Sequence, residues 1–185
     1  MARKPSSVVL VTGPESSGTR WIAGVLGQHP SFDHAPKGGH KDPLDAFWAL
    51  ETHELPSGMI LTRRSLPAGV GNHVARYMQF EDFSALNNAA DSLTVIAVVR
   101  SPWANISSWT KNRASVSGDR NRAKEQYHAA YRHIHPWIDY YLPLEAVILD
   151  GSDALSGLCR LMGFPEHRFD LHPDMEVNKK HYGVR

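Results

Sequence analysis

A Gly/Ser-rich turn over residues 13–18 is the part of this sequence whose residue types and spacing most clearly predict chemistry. It lies between the apolar run 8–12 and a segment with apolar residues at helical spacing. A strand, a glycine-rich loop and a helix start form a cradle for phosphate, because the first N–H groups of a helix have no backbone acceptor. The turn therefore predicts an anion site at the N-terminus of the first helix.

Two residues after this turn differ from an ATP-binding Walker A motif. Thr19 stands where that motif has a phosphate-binding lysine, and Arg20 stands where it has a Mg²⁺-binding serine or threonine. Arg20 offers instead a planar, permanently charged group that binds two phosphate oxygens at once. The loop is thus predicted to hold a phosphate without two parts that an ATP-using enzyme normally has.

A second strand-to-helix turn carries Arg100. This residue follows the most apolar run of the chain, 93–99, and Ser101 and Pro102 after it are typical of a helix start. Ser108 falls in the second turn of that helix. Basic residues outnumber acidic ones over residues 100–133, which favours an anionic ligand near this segment. For every basic residue except Arg100, a helix face exposed to solvent is an equal alternative. The basic residues are Arg100, Lys111, Arg113, Arg120, Arg122, Lys124 and Arg132, and the acidic ones are Asp119 and Glu125.

Strands and helices alternate along the chain. Apolar runs predict strands over 8–12, 59–62, 93–99 and 146–149, with a broken polar loop over 31–43. Helical spacing links Tyr127 to Tyr141, with a break at Pro136, and a last helix is predicted from a Ser152 cap to a stop at Gly163. The pattern indicates an α/β domain of the P-loop type, with three layers and a central, mainly parallel sheet, whose ligands bind at the carboxyl ends of the strands.

Composition sets the broad class. With 185 residues, 42% of them hydrophobic, one domain over 1–185 is expected. The net charge of +1 gives no general attraction to nucleic acid or membrane, so neither is expected as a partner. The single cysteine, Cys159, is predicted to be core, and with no leader or spanning segment evident we expect a cytoplasmic protein. The oligomeric state is left open.

Three segments resemble the sulfotransferases that use 3′-phosphoadenosine 5′-phosphosulfate (PAPS). ESSGTRW, residues 15–21, is similar to the family's 5′-phosphosulfate loop, and its Gly-Thr-Arg form is typical of the heparan-sulfate-type branch. Arg100-Ser-Pro, with Ser108 eight residues after the arginine, resembles the family's 3′-phosphate motif. Residues 147–166 resemble its strand, acidic turn and helix near the C-terminus. Together these segments cover the first, middle and last thirds of the chain in the family's order.

The resemblance implies a metal-independent transfer of a sulfuryl group from PAPS to a hydroxyl or amine of a small-molecule or glycan acceptor. It assigns the 5′-phosphosulfate to the loop and the 3′-phosphate to the second turn, and it suggests Trp21 for the adenine and a C-terminal basic loop for the 3′-phosphate. The donor-binding residues implied are Ser16, Ser17, Gly18, Thr19, Arg20, Trp21, Arg100, Ser108, Lys179 and Lys180.

The sequence departs from the family at two positions. Ser16 stands where a loop lysine or arginine is usual, so Arg20, Lys37 or Lys41 is needed to supply that charge. Ser65 stands where many members place a histidine base. The loop 36–43 corresponds to the segment from which heparan-type members take their base, and here it offers His40 as the first candidate, with its imidazole neutral at cytoplasmic pH.

Several alternatives stay open at this point. For the general base, Asp42, then His34 and Asp33, follow His40. Arg63 and Arg64 would face the sulfuryl group or an anionic acceptor, or else end a strand in water. Since GPESSG also resembles the loop of nicotinamide riboside kinases, a small-molecule kinase using ATP is a second hypothesis for the function. A catalytically inactive nucleotide-binding module is a third.

Overall fold

The fold is built on a parallel sheet. A computed structural model of the chain describes residues 6–36, 42–48, 54–66, 80–112 and 118–171. Within these ranges four strands, all parallel, pair in the order β2-β1-β3-β4. They are β1 Ser6–Pro14, β2 Gly58–Leu66, β3 Ser92–Val99 and β4 Tyr140–Pro143. The predicted runs 8–12 and 93–99 are thus the two inner strands, which is where continuous apolar runs belong.

Helices follow or connect the strands. Among the described residues they are α1 Thr19–Leu26, α2 Asp45–Trp48, α3 Phe80–Ala89, α4 Pro102–Asn112, α5 Arg120–Ile134, α6 Leu144–Asp150 and α7 Ser152–Leu161, with a short 3₁₀ turn at His135–Trp137. None of the helices described is long and apolar enough to cross a membrane.

The core has two halves, one on each face of the sheet. Val9 and Val11 of β1 point to the face covered by α1, α6 and α7. Val8 and Leu10 point to the other face, against α2, α3 and α5. This alternation follows from the pleat of a strand, because successive side chains leave it on opposite sides. The predicted α/β architecture, with a parallel sheet between two helical layers, is confirmed.

The prediction was wrong for residues 146–149. They form the middle of α6, and the fourth strand lies just before them at Tyr140–Pro143. A short apolar run does not distinguish a strand from a helix by itself, and here only one side of the run is buried. Val147 is fully buried, whereas Leu149 is 82% exposed. The helical spacing predicted from Tyr127 to Tyr141 also ends early. The helix α5 stops at Ile134, Ile138 lies between it and β4, and Tyr141 is part of β4.

The last helix starts and ends close to the predicted residues. Gly151, with φ 63°, is the residue before the first turn, and no side chain caps it. The Ser152 hydroxyl instead accepts from the Phe169 backbone N–H at 2.7 Å, so the predicted cap was wrong. Gly163 follows the helix with φ 76°, as a helix-ending glycine does. Cys159 is fully buried in the core, as predicted, and burial raises the pKa of its thiol to about 11.

Candidate functional site

Both predicted anion-binding turns lie at one edge of the sheet. Because β1 and β3 are parallel neighbours, the loop after β1 and Arg100 after β3 emerge side by side at the carboxyl ends of the strands. Arg100 reaches across to the loop, and its Nη1 donates to the carbonyl oxygen of Ser16 at 3.1 Å. The two motifs, far apart in sequence, thus form one continuous surface.

The loop follows a backbone path that depends on glycine. Gly13 has φ 148°, and a Cβ there would lie 2.4 Å from the backbone oxygen of Val98. Gly18 has φ 91°, and a Cβ there would meet Leu144 of α6 at 3.0 Å. The side of Gly18 that a Cβ would occupy therefore faces the core, so its glycine is required by the left-handed conformation and by Leu144.

The N-terminus of α1 opens from the end of this loop. Gly18 precedes the helix and supplies no side-chain cap, and the N–H groups of the first turn, Thr19 to Trp21, have no acceptor within the helix. Arg20 is exposed in the same turn. Ser17 is among the residues that the resemblance implies for donor binding, and its backbone N–H donates to the carbonyl of Pro14 at 3.0 Å. Backbone donors and the positive end of the helix dipole favour an anion at this point.

Two hydroxyls at this turn, those of Ser17 and Thr19, point into the protein. Ser17 is fully buried, and its Oγ has no hydrogen-bond partner among the described residues. Thr19 is 4% exposed, and its hydroxyl lies 2.8 Å from that of Ser65 on β2. This contact ties α1 to the neighbouring strand. With these two hydroxyls turned inward, the backbone N–H groups of the first turn remain as donors at this cradle, next to the exposed Arg20.

Two residues that the sequence reasoning missed hold the loop from the side of α4. The indole N–H of Trp109 donates to the Glu15 carbonyl at 2.6 Å. The side-chain amide of Asn105, fully buried, lies beside the Glu15 and Ser16 carbonyls and, with its nitrogen turned toward them, donates at 3.2 and 3.1 Å. Together with Arg100, these donors bind loop carbonyls that would repel a phosphate. A signal was present in the sequence, since Asn105 and Trp109 are spaced by one helical turn directly after Arg100.

Ser108 lies on the same side of α4 as Asn105, one turn further along the helix, and is half-buried. The helix that holds the loop is therefore also the helix that carries the residue predicted for the 3′-phosphate. Trp21, a residue of α1, is only 6% exposed and packs into the core, and a contact with adenine stays a prediction. Lys179 and Lys180 lie outside the described residues.

Arginines from β2 add positive charge next to the loop. Arg63 lies on the face of the sheet that α1 covers, and its Nε is buried with no hydrogen-bond partner among the described residues. Burial lowers the pKa of its guanidinium, Asp42 counteracts this, and the positive charge of Arg20 lowers it further. Arg64 points to the other face, with its guanidinium 5.1 Å from the ring centroid of Trp48. An anion bound beside Arg20 and Arg63 would relieve their mutual repulsion.

The candidate bases separate into three groups. His40, with Lys37 and Lys41, lies outside the described residues. Asp42 is 8% exposed and accepts three hydrogen bonds, from the Thr62 hydroxyl at 2.5 Å and from the N–H groups of Leu44 and Arg63, both at 2.9 Å. Burial raises the pKa of Asp42, and these hydrogen bonds oppose that shift. The Asp42 side chain therefore links β2 to the segment that follows His40, and we call it the Asp42 anchor.

Asp33 and His34 lie at the opposite end of β2. The Asp33 carboxylate accepts from the Met59 N–H at 2.8 Å, and the His34 N–H donates to the Met59 carbonyl at 3.1 Å. Met59 precedes Ser65 by six residues, which is about 20 Å along a strand. Neither side chain can reach a sulfuryl group held at the Gly13–Gly18 loop, so the structure excludes both as the base in this arrangement.

Two solved structures have a fold similar to that of this chain. The chain superposes on a sulfotransferase from Alicyclobacillus acidocaldarius with a TM-score of 0.56, at 13% identity, over 99% of this chain and 93% of that one. It superposes on the sulfotransferase domain of the Synechococcus PCC 7002 olefin synthase with a TM-score of 0.58, at 12% identity, over 100% and 90%. No protein-family model matches the chain, and no curated protein matches it by sequence.

The class that these observations define is structural. The chain has an α/β fold that it shares with two sulfotransferases, and the shared region includes almost the whole of each chain. Identities of 12% and 13% support a shared fold only. Any donor and acceptor of a transferred group have to be inferred from the site itself.

Proposed function

We propose that this protein is a sulfotransferase that uses PAPS as its donor. The observation that carries the proposal is that the uncapped start of α1 and the Arg100 turn, both predicted to bind anions, lie side by side and are joined through Arg100 and Ser16. PAPS has a phosphate at the 3′ position and a phosphosulfate at the 5′ position of one ribose, so it needs two such sites at neighbouring strand ends. The fold shared with two sulfotransferases supports the proposal.

Arginine is the proposed source of charge in the transfer. The acceptor oxygen or nitrogen attacks sulfur in line, the bond from sulfur to the bridging oxygen breaks, and negative charge develops on the 5′-phosphate of the leaving adenosine 3′,5′-bisphosphate. Arg20 and Arg63 lie beside the loop, where a guanidinium stabilises that charge through paired hydrogen bonds. They take the place of the cation that the resemblance expects at Ser16.

The acceptor proton needs a base within about 3 Å. We propose His40 for this role, two residues before the Asp42 anchor. The three donors on Asp42 and its buried position favour a fixed, structural carboxylate over a base that exchanges protons with an acceptor.

Donor turnover tests the proposal. The protein is incubated with PAPS and a panel of phenols, amines and saccharides, and the adenosine 3′,5′-bisphosphate released is measured by chromatography. We expect acceptor-dependent release that Arg20→Ala lowers about 100-fold, as loss of a donor aimed at developing charge does. The exposed Arg132→Ala on α5 serves as the control and should leave turnover unchanged.

Two other outcomes would contradict the proposal. Tight bisphosphate binding with no release on any acceptor would favour a nucleotide-binding module without activity. Acceptor phosphorylation with ATP and Mg²⁺ would favour a kinase.

A further inference from the structure

A groove between α4 and α5 lies outside the machinery proposed above. It encloses about 420 Å³, and its walls are Trp103 and Ile106 on α4 and Arg120, Lys124, Tyr127 and His128 on α5. We propose that this groove binds a small aromatic anion, independently of the donor site. The proposal does not depend on sulfuryl transfer.

The groove has an apolar floor and an open aromatic wall. Ile106 and Tyr127 are each 6% exposed and form the floor. The Tyr127 hydroxyl donates to the backbone carbonyl of Arg100 at 3.3 Å, which fixes the ring in place. Trp103, in contrast, is 76% exposed, the largest aromatic surface that the described residues leave in contact with water. A flat ring inserted against Trp103 and Tyr127 would bury this surface.

Positive charge runs along the other wall. Arg120, Lys124 and His128 are spaced by four residues on α5, so they follow one side of the helix at intervals of about 6 Å. No carboxylate is among the described residues that line the groove. A ligand with a negative group on an aromatic ring would place that group against Arg120 and Lys124 while its ring contacts the floor.

Size limits the ligand further. Pockets for small ligands are commonly about 300–1,000 Å³, mostly apolar and with a few convergent polar groups. At about 420 Å³ the groove is near the lower limit, which suits a molecule of one or two fused rings with an attached sulfonate, phosphate or carboxylate.

The groove and the candidate donor site use different sides of α4, which adjoin where Tyr127 of the groove donates to the Arg100 carbonyl. A helix turns about 100° per residue, so Trp103 points away from Asn105, whose amide faces the loop carbonyls. Both sites can therefore be occupied together. This separation gives the proposal a direct test.

The test uses 2-naphthalenesulfonate as the probe and the neutral 2-naphthalenemethanol as its match, each titrated by NMR and calorimetry. We expect the sulfonate to bind more tightly than the alcohol. Trp103→Ala should weaken it about tenfold, by analogy with loss of an aromatic stacking partner. Arg120→Ala combined with Lys124→Ala should weaken it about two- to 30-fold, the range for two exposed ion pairs. Affinity should be the same with and without saturating adenosine 3′,5′-bisphosphate.

Matched controls remove similar groups elsewhere. Leu149→Ala removes another exposed apolar side chain, on α6, and Arg132→Ala removes a cation of α5 outside the groove. Neither should change binding of the probe. All the substituted side chains of the test are exposed, so the fold is expected to persist, and circular dichroism checks this. Equal affinity for the two probes, no loss in the groove variants, or displacement of the sulfonate by the bisphosphate would each overturn the proposal.

Discussion

Replacing Arg100 with alanine tests how the two anion-binding turns work together. The guanidinium makes a hydrogen bond to the Ser16 carbonyl, and we propose that it also binds the 3′-phosphate of the donor. A charge-assisted hydrogen bond contributes about 1.5–3 kcal/mol, and an ordinary one about 0.5–1.5 kcal/mol. The variant should therefore bind adenosine 3′,5′-bisphosphate more weakly by about 2–4.5 kcal/mol, roughly 30- to 2,000-fold.

Two ligands separate these contributions. Adenosine 5′-phosphate lacks the 3′-phosphate, so the ratio of the two affinities measures recognition of that group. In Arg100→Ala this ratio should fall toward one. Trp109→Phe loses the hydrogen bond to the Glu15 carbonyl, which positions the loop, together with part of a buried ring. Neither change touches the 3′-phosphate, so the variant should weaken both ligands by a similar factor and keep the ratio.

Calorimetry at fixed ionic strength provides the affinities, because phosphate binding depends on salt. Arg132→Ala controls for the loss of one positive charge. A ratio in Arg100→Ala equal to that of the unmodified protein would refute the assignment of Arg100 to the 3′-phosphate. If Arg100→Ala weakens both ligands equally, the hydrogen bond from Arg100 to the Ser16 carbonyl contributes to the shape of the loop without recognition of the 3′-phosphate.

Three further predictions concern the loop and its surroundings. Gly18→Ala should lower the free energy of unfolding by about 1–3 kcal/mol, because the alanine is forced into a left-handed conformation against Leu144. Gly157→Ala lies in open space inside α7 and should raise the free energy of unfolding slightly in the same denaturant titration. Because burial raises the pKa of Asp42 above 3.8, the folded protein holds its proton more tightly than the unfolded chain. Its contribution to the free energy of unfolding should thus fall as pH rises from 3.8 through the raised pKa; a fall that persists in Asp42→Asn would contradict this. His40→Ala should cut turnover about 100-fold with bisphosphate affinity unchanged, and an unchanged rate would move the base elsewhere.

The sequence was sufficient for features that are contiguous in the chain. The run 8–12, the glycine-rich loop and the first helix follow each other directly, and so do the run 93–99, Arg100 and α4. Local rules for strands, glycine and helix starts then determine both turns, and the parallel sheet places them at one edge. The fold class follows from the same alternation.

Tertiary contacts determined the rest. Nothing local to Thr19 reveals that its hydroxyl meets Ser65, 46 residues away, and faces inward. Asp33 and His34 lie in the expected loop, but pairing with the start of β2 places them far from the site. Residues 146–149 form a helix because only one of their sides meets the core, which an apolar run of four does not indicate.

The most direct test of the account is a calorimetric comparison of adenosine 3′,5′-bisphosphate with ATP and Mg²⁺. The paired turns are proposed to recognise the 3′- and 5′-phosphates of one ribose. Thr19 and Arg20 occupy the positions where a triphosphate-binding loop normally has a lysine and a Mg²⁺-binding serine or threonine. We predict bisphosphate binding at least about 100-fold tighter than that of ATP with Mg²⁺, a difference of about 2.7 kcal/mol. Equal binding of the two nucleotides, or tighter binding of ATP with Mg²⁺, would contradict the account.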